Sequence, residues 1–377
     1  MRKDGADEAE IFAELALWKR RDVPYARVLS SMCTAPHPVA VKAHEQFVRA
    51  NLGDPRLFPG TAEIERVCVA MIGDLLHLPA APGYVTTGGT ESNIQALRAA
   101  VQRKGHVDRA KANIVVPDSA HYSFKKASQL LGVKLRRAPL DEGLRADPAG
   151  MAALVDEDTI ALVAVAGTTE FGQVDPVDEI GRIAEEKDVF FHVDAAFGGF
   201  VIPFLPGCQP PFDFAVPGVS SIAIDPHKMG LSTIPSGGLL YRNAGLMQPL
   251  EISAQYLTSQ VQTSLVGTRS GAAAAATYAV MRYLGRDGYR NVVARCMANT
   301  ALLVDLLGDF GLEPVIDPVM NIAAFTAPDP QAIRRRLCDY NWYVSTTVRP
   351  CALRMVVMPH VTEEVVRAFA ADLKQVV

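Results

Sequence analysis

The chain has 377 residues, a formal net charge of −4, 49% hydrophobic residues and 21% charged residues. Such a composition is that of a globular protein with about two or three domains, and its charge provides no basis for binding nucleic acid or an anionic membrane. The N-terminal sequence has no apolar segment, no run approaches the roughly 20 apolar residues of a membrane helix, and the six cysteines form no C-x-x-C pair. We therefore expect a cytoplasmic protein with reduced cysteines.

The predicted elements begin with an amphipathic helix over residues 10–22, which Pro24 ends. Residues 30–60 are rich in proline and glycine and predict an irregular arm. From residue 61 to about 240, helices alternate with short apolar strands. These strands are predicted at 113–116, 160–166, 189–193 and 221–224. The alternation predicts an α/β fold in which helices cover both faces of a mostly parallel sheet.

The C-terminal part of the chain predicts a second, smaller unit. An alanine-rich helix over 271–284 ends at Gly285. The helices and strands that follow it form a compact α+β unit, predicted at 291–308, 322–326, 331–340, 343–347, 353–358 and 363–376. We expect an N-terminal helix and arm over 1–60, a large domain over 61–285 and a small domain over 286–377.

A glycine turn over residues 86–93 precedes a segment of helical character. Free amides at a helix N-terminus bind phosphate, so Gly89 and Thr90 are candidates for an anion site. The turn lacks the spacing of a P-loop and of a dinucleotide-binding loop. A simple helix cap remains the alternative.

A histidine, His121, lies where the strand over 113–116 gives way to a helix. An imidazole at that junction could stack on an aromatic cofactor. A structural hydrogen-bonding role is the alternative.

An acid, Asp194, ends the apolar run over 189–193. A carboxylate in such a place costs free energy unless it is paired. A protonated pyridine ring is a fitting partner, because an opposite charge shifts a pKa by roughly 1–3 units toward the charged form. Ala195 and Ala196 are small enough to let a flat ring lie against the backbone. Alternatively, Asp194 caps a helix or binds a loop amide.

A lysine, Lys228, follows the strand over 221–224 and the residues Asp225, Pro226 and His227. The carboxyl end of a buried strand is where α/β proteins hold ligands. There a lysine can be desolvated, have its pKa lowered and act as an amine nucleophile toward an aldehyde. A solvated surface charge is the alternative.

Five motifs in this order resemble those of group II pyridoxal-phosphate-dependent amino-acid decarboxylases. They are Gly-Gly-Thr-Glu-Ser-Asn (88–93), Ala-His-Tyr-Ser (120–123), Gly-Thr-Thr-Glu-Phe-Gly (167–172), His-Val-Asp-Ala-Ala-Phe-Gly-Gly (192–199) and Asp-Pro-His-Lys (225–228). The resemblance extends from about residue 10 to the C-terminus and is strongest to the short archaeal L-tyrosine/L-aspartate decarboxylases. It implies the aspartate-aminotransferase-like fold, fold type I.

The resemblance implies pyridoxal 5'-phosphate (PLP) as the cofactor, carried by Lys228. It also implies that Asp194 meets the ring nitrogen, that His121 stacks over the ring, and that Arg354 meets the substrate α-carboxylate. The other residues that it assigns to the cofactor are Gly89, Thr90 and His227 at the phosphate, Ala196 at the ring, and one or both of Thr168 and Thr169 at the ring or substrate. In this fold a segment such as Gly267-Thr268-Arg269 commonly reaches the phosphate of the partner subunit, so the resemblance implies that Thr268 binds cofactor and that the protein is a homodimer with shared active sites.

The substrate is left open by the residues. The resemblance favours L-tyrosine, converted to tyramine for methanofuran synthesis, and/or L-aspartate, converted to β-alanine for coenzyme A. Glutamate decarboxylation, or a carbon–carbon lyase or aminotransferase of the same fold, is the alternative.

The proton donor is a further open point. Larger group II enzymes carry a long loop with a tyrosine, whereas the stretch 257–267 after Tyr256 is short and has none. Lys228, His121 and Tyr256 are the candidates, and we expect looser control of protonation, with side transamination.

Two other classes of protein remain as alternatives. A metal hydrolase would use His192 and Asp194 with Asp225 and His227 as ligands, but it leaves Lys228 unexplained. A non-catalytic binding protein would retain the phosphate site without needing the lysine and the acid.

Overall fold

The computed structural model describes residues 3–105 and 108–377 and has a seven-stranded sheet at its centre. The strands are β1 Gly83–Thr86, β2 Asn113–Pro117, β3 Lys134–Ala138, β4 Thr159–Val165, β5 Phe190–Asp194, β6 Ser221–Ile224 and β7 Gly237–Tyr241. Their spatial order is β1-β7-β6-β5-β4-β2-β3. Of these strands only β7 runs against its neighbours. The prediction of a mostly parallel α/β sheet is confirmed.

Helices cover both faces of this sheet. The helices in the large part of the chain, not all of which contact the sheet, are α1 Glu8–Lys19, α2 Pro38–Phe47, α3 Pro59–Leu75, α4 Gly89–Lys104, α5 Ser123–Leu131, α6 Pro148–Ala153, α7 Val177–Glu186 and α8 Ala244–Met247. Side chains alternate along each strand, so Leu162 of β4 packs in one core with α3 and α7. Its neighbour Val163 packs in a second core with α4 and α5. Burial on both faces explains why the central strands are continuously apolar.

The four strands predicted from apolar runs all form, whereas three strands of the sheet were missed. β3 is a partly exposed edge strand with the sequence Lys-Leu-Arg-Arg-Ala, so it has no apolar run to detect. β7 begins with Gly237 and Gly238, which have no side chain to contribute to a pattern. β1 has the sequence Gly-Tyr-Val-Thr, which contains no apolar run of more than two residues. A short two-stranded ladder, β8 Ile252–Ser253 and β9 Val261–Gln262, follows the sheet.

The C-terminal part contains a second sheet and a long helix. The helix α9, Gly271–Gly308, is interrupted at Gly285, where φ is 56°. The remaining elements are β10 Ile322–Phe325, α10 Pro330–Asp339, β11 Ser345–Thr346, β12 Leu353–Val356 and α11 Glu363–Leu373. The three strands form an antiparallel sheet in the order β10-β12-β11. The break at Gly285 coincides with the predicted boundary, and the domain division itself stays a prediction.

The N-terminal helix differs from its prediction. Asp7 caps α1, since its Oδ1 accepts a hydrogen bond from the Glu10 amide at 2.9 Å. No side chain of α1 is buried within the described chain. Its large apolar side chains are all exposed, namely Ile11, Phe12, Leu15, Leu17 and Trp18. The predicted helix therefore forms, at Glu8–Lys19 rather than 10–22, but no face of it is buried against the described part of its own chain.

The predicted irregular arm over 30–60 contains a helix as well. Pro38 occupies the first turn of α2, where a missing N–H costs nothing, and His37 Nδ1 accepts from the Val39 amide at 3.2 Å. None of the helices within residues 3–105 and 108–377 combines the length and hydropathy that crossing a bilayer requires.

Candidate active site

A cavity of about 380 Å³ opens where the parallel strands end. This volume suits a small ligand, and the place is the one where α/β sheets hold ligands. The predicted residues on its wall are Gly89, Thr90, His121, Thr169, Asp194, Ala196, His227 and Lys228. The fold therefore brings together groups that are up to about 140 positions apart in the sequence.

The glycine turn at the start of α4 is shaped by close contacts. Gly88 has a φ of 136°, and a Cβ added to it would lie 2.9 Å from His227 Cε1. A Cβ on Gly89 would lie 3.1 Å from both Ala196 Cβ and Asp225 Oδ2. The first amides of α4 have no carbonyl partner inside the helix. This turn therefore fits a phosphate, as expected for PLP.

Lys228 is paired with an acid that lies three positions before it. Its Nζ lies 3.2 Å from Asp225 Oδ2, and Asp225 is buried, with its Oδ1 lacking a hydrogen-bond partner among the described residues. Burial by itself would lower the pKa of Lys228, but the charges of Asp225 and Asp194 outweigh it and raise that pKa. The expectation that the pKa of Lys228 is lowered is therefore wrong for the protein without cofactor. A buried lysine beside carboxylates is held as an ammonium.

Asp194 is buried at the wall of the cavity, and each of its carboxylate oxygens accepts one hydrogen bond. Oδ1 accepts from the Ala196 amide at 3.1 Å, and Oδ2 accepts from Asn93 Nδ2 at 2.8 Å. A carboxylate oxygen has two lone pairs. The acid therefore binds a loop amide, as the alternative foresaw, and still has capacity for a ring N–H.

His192 does not have a free ring nitrogen. Its Nδ1 lies 2.8 Å from Ser221 Oγ, and its Nε2 lies 2.9 Å from Asn93 Oδ1. Across residues 3–105 and 108–377, no group of three His, Cys, Asp or Glu side chains could hold a metal ion. The geometry thus does not support the metal-hydrolase alternative.

The burial of His192 predicts a pH dependence of stability. Burial lowers its pKa from 6.5 to about 4, so between these values the unfolded chain binds a proton that the folded chain does not. The free energy of unfolding should therefore rise with pH over this interval, by about 3 kcal/mol from this group. Denaturant unfolding at pH 4.5 to 7 should show a smaller rise for His192→Gln than for wild type.

An exposed histidine is the control for this experiment. His77, whose side chain is 68% exposed, lies 2.8 Å from the carboxylate of the buried Asp213, and His77→Gln should leave the pH slope close to that of wild type. Equal slopes for His192→Gln and wild type would contradict the burial argument.

His121 contributes a neutral ring to the cavity wall. Burial lowers its pKa, and its Nδ1 accepts from the Ser123 amide at 3.3 Å, which leaves the proton on Nε2. Its ring centroid lies 3.9 Å from that of Tyr122. A neutral imidazole of fixed orientation fits a stacking role, which stays a prediction.

The two neighbouring threonines occupy different environments. Thr169 lines the cavity, whereas Thr168 is fully buried and its hydroxyl accepts from the Gln173 amide at 3.0 Å. Of the two side chains that the sequence left open, the geometry favours Thr169.

Arg354 lies outside the cavity wall on β12 and reaches it through a backbone oxygen. Its Nε donates to the Thr169 carbonyl at 2.6 Å and its Nη1 to the Ser30 carbonyl at 3.0 Å. Its Nη2 is buried and has no partner among the described residues. Burial lowers its pKa to about 10, so it remains a cation at neutral pH. One nitrogen, with two N–H donors, therefore remains without a partner among the described residues.

Two predicted residues are exposed in this chain and do not line the cavity. Thr268 lies just before α9, and Tyr256 lies in the loop between β8 and β9 with 87% of its surface exposed. A contribution from either of them to a site would have to be made in a partner subunit.

Sequence reasoning gave no functional role to several residues on this wall. They are Met32, Asn93, Tyr122 and Phe197, while Asp225 was considered only as a metal ligand. Asn93 could have been found, because it lies four positions after Gly89 and so shares a helical face with it. The ion pair of Asp225 and Lys228 could also have been predicted, because residues three positions apart in a tight turn lie close together.

Comparisons with known proteins identify the family of this chain. Residues 50–325 match the family described as pyridoxal-dependent decarboxylase conserved domain. The probable L-tyrosine/L-aspartate decarboxylase of Methanocella arvoryzae is 69% identical over 377 residues, which cover 100% of both chains. The probable L-aspartate decarboxylase of Archaeoglobus fulgidus is 50% identical over 369 residues, which cover 97% of this chain and 99% of that relative.

Solved structures show the same architecture. The sphingosine-1-phosphate lyase of Burkholderia pseudomallei superposes with a TM-score of 0.90 at 29% identity, covering 100% of this chain and 92% of that one. The expected fold type I, the PLP cofactor and the family resemblance are thereby confirmed. The chain belongs to the pyridoxal-dependent decarboxylase family and is a PLP-dependent amino-acid decarboxylase.

Proposed function

We propose that the enzyme decarboxylates L-tyrosine to tyramine, L-aspartate to β-alanine, or both. The observation that carries this proposal is the 69% identity over the whole chain to a relative named for these two substrates. We place the tyramine in methanofuran synthesis and the β-alanine in coenzyme A synthesis. The cytoplasm is the proposed location, supported by six cysteines that are all described and all unpaired.

In this proposal Lys228 carries the cofactor and Asp194 accepts a hydrogen bond from its ring nitrogen. Bound PLP supplies the electron sink for the electron pair that is released when carbon dioxide leaves. Asp225, 3.2 Å from Lys228 Nζ, is the nearest group to take the lysine proton before the amine reacts. His121 would stack on the ring and, being neutral, would not compete for the charge of Asp194.

The phosphate is held by the start of α4 and by a histidine. Gly89 and Thr90 offer amides and a hydroxyl there. His227 donates from Nδ1 to the Ser236 carbonyl at 2.6 Å, which fixes the ring beside the proposed phosphate site. Ala196, at the cavity wall, leaves room for the flat ring.

Substrate binding is assigned to Arg354 and Thr169. The unpartnered Nη2 of Arg354 would donate to the α-carboxylate, a charge-assisted bond worth about 1.5–3 kcal/mol. Because Arg354 also holds the Thr169 carbonyl, the substrate carboxylate and the cavity wall would be positioned together.

The active unit is proposed to be a homodimer. Its support is α1, whose large apolar side chains are all exposed in the described chain and would be covered by a second copy. Thr268 gives further support, since it is exposed and lies outside the cavity of its own chain.

The dimer proposal predicts a change in self-association. Sedimentation of wild type should give a dimer, and replacing both Phe12 and Trp18 by serine should raise the dissociation constant at least about tenfold, because apolar anchors carry most interface energy. Leu130→Ser changes an exposed leucine on α5 and is the control. A monomeric wild type would contradict the proposal.

Product analysis tests the substrate. The protein loaded with PLP is incubated separately with tyrosine, aspartate and glutamate, and amines and carbon dioxide are quantified. Tyramine or β-alanine formed with one equivalent of carbon dioxide is the expected result. Sole formation of γ-aminobutyrate would move the assignment to glutamate. A keto acid without carbon dioxide would indicate an aminotransferase.

A further inference from the structure

Four buried side chains form a continuous hydrogen-bonded chain that ends at the proposed ring-nitrogen acid. Ser221 Oγ lies 2.8 Å from His192 Nδ1, His192 Nε2 lies 2.9 Å from Asn93 Oδ1, and Asn93 Nδ2 lies 2.8 Å from Asp194 Oδ2. Each of these residues is at most 5% exposed. This series of hydrogen bonds connects β6, β5 and α4 beneath the cavity.

The Asp194 carboxylate fixes which atom donates in each of these hydrogen bonds. The carboxylate of Asp194 can only accept, so the Asn93 amide nitrogen faces it and the amide oxygen faces His192. That oxygen can only accept, so His192 Nε2 carries the proton and Nδ1 is an acceptor. The Ser221 hydroxyl must therefore donate to Nδ1. The second N–H of Asn93 donates to Ser123 Oγ at 3.0 Å.

We propose that Asn93 and His192 are positioning residues for the reaction: they hold Asp194 in the orientation, and in the charged form, that keeps the cofactor's ring nitrogen protonated. This inference rests on the proposed role of Asp194.

Two independent bonds oppose rotation of the Asn93 amide. A flipped amide would place its oxygen against the Asp194 carboxylate, and it would place its N–H against the N–H of His192. Together with the bond from the Ala196 amide to Oδ1, this holds both oxygens of the acid. The remaining lone pairs then face the cavity with little freedom.

The residue types also suit the electrostatic requirement. A cation bonded to Asp194 would compete with the ring nitrogen for the carboxylate's charge. Asn93 is neutral, and burial keeps His192 neutral by lowering its pKa to about 4. The acid is therefore oriented by hydrogen bonds without losing its charge.

The test compares Asn93→Ala, His192→Phe and Ser221→Ala with wild type. Each holoenzyme is reconstituted with PLP labelled with ¹⁵N in the ring, and the ¹⁵N chemical shift reports protonation of that nitrogen. We expect a shift toward neutral pyridine that is largest for Asn93→Ala and smallest for Ser221→Ala. Values of kcat should fall in the same order, by about 10- to 100-fold for Asn93→Ala, with a smaller change in KM.

Asn113 provides a matched control. It is also a buried asparagine that donates to an acid, Asp156 Oδ1 at 2.8 Å, and accepts at its Oδ1, from Thr159 at 2.9 Å, but it lies at the far end of β2. Asn113→Ala should lose comparable thermal stability and keep the ¹⁵N shift of wild type.

The outcomes separate this inference from the proposed function. If Asp194→Asn leaves the ring nitrogen protonated, the proposed role of Asp194 fails. If Asp194→Asn removes the proton but Asn93→Ala and His192→Phe keep it, the positioning inference is overturned while the proposed function stands. If Asn93→Ala does not fold, His192→Phe and Ser221→Ala test the positioning inference instead. His192→Phe removes the bond to Asn93, and Ser221→Ala removes the bond to His192.

Discussion

Replacing Lys228 by alanine is expected to reduce decarboxylation by at least about 1,000-fold, the scale on which removal of a covalent catalytic group acts. No other lysine lines the cavity within the described chain. Alanine also leaves Asp225 buried without its cation, so the variant should lose stability as well as activity. Release of carbon dioxide and of amine should be measured together, at saturating PLP.

Covalent trapping separates loss of chemistry from loss of cofactor. Wild type treated with borohydride in the presence of PLP should carry the pyridoxyl mass on the peptide containing Lys228, and Lys228→Ala should carry none. Lys125 is exposed on the neighbouring helix α5, so Lys125→Ala is the control and should label and turn over as wild type does. Pyridoxyl mass on another lysine of wild type would overturn the assignment.

Replacing Asp194 by asparagine is expected to lower kcat by about 100- to 1,000-fold, as does removal of a single preorganised electrostatic partner in other enzymes. Asparagine keeps the size of the side chain but removes the charge that favours the protonated ring nitrogen. Without that charge the pKa of the ring nitrogen falls. Residual activity should therefore increase as the pH is lowered, relative to the wild-type profile measured in the same buffers.

A second buried aspartate provides the control for this change. Asp213 is 2% exposed, and its Oδ1 accepts from the amide two residues later, that of Ala215, at 2.9 Å. The same local bond is present at Asp194 and Ala196. Asp213→Asn should thus reproduce the structural cost without the change in pH profile. If both variants have the same pH profile, Asp194 has no special relation to the ring nitrogen.

The sequence predicted the fold where each strand is an uninterrupted apolar run, as at β4 and β5. It failed where tertiary contacts replace that pattern. β7 begins with two glycines that lie close to other backbone, since a Cβ on Gly237 would be 2.5 Å from Gly88 Cα. α1 has the apolar content of a packed helix, yet none of its residues is buried within the described part of the chain.

The candidate site was predicted through residues at element ends, because these positions are local. Gly89 begins α4, Asp194 ends β5 and Lys228 lies in the turn that follows β6, and the fold brings these positions to a single edge of the sheet. Of the adjacent Thr168 and Thr169, only the turn geometry shows which one faces the cavity.

The sequence by itself determined the order of the chemical groups, the family and the cofactor, because short motifs encode local backbone geometry and side-chain chemistry. The tertiary structure alone decided which distant residues meet: Asn93 with Asp194, and Arg354 with the Thr169 carbonyl. It also decided that the pKa of Lys228 is raised rather than lowered. The physical reason is that hydrogen-bond direction and the balance between burial and charge depend on distances in space, which no local pattern contains.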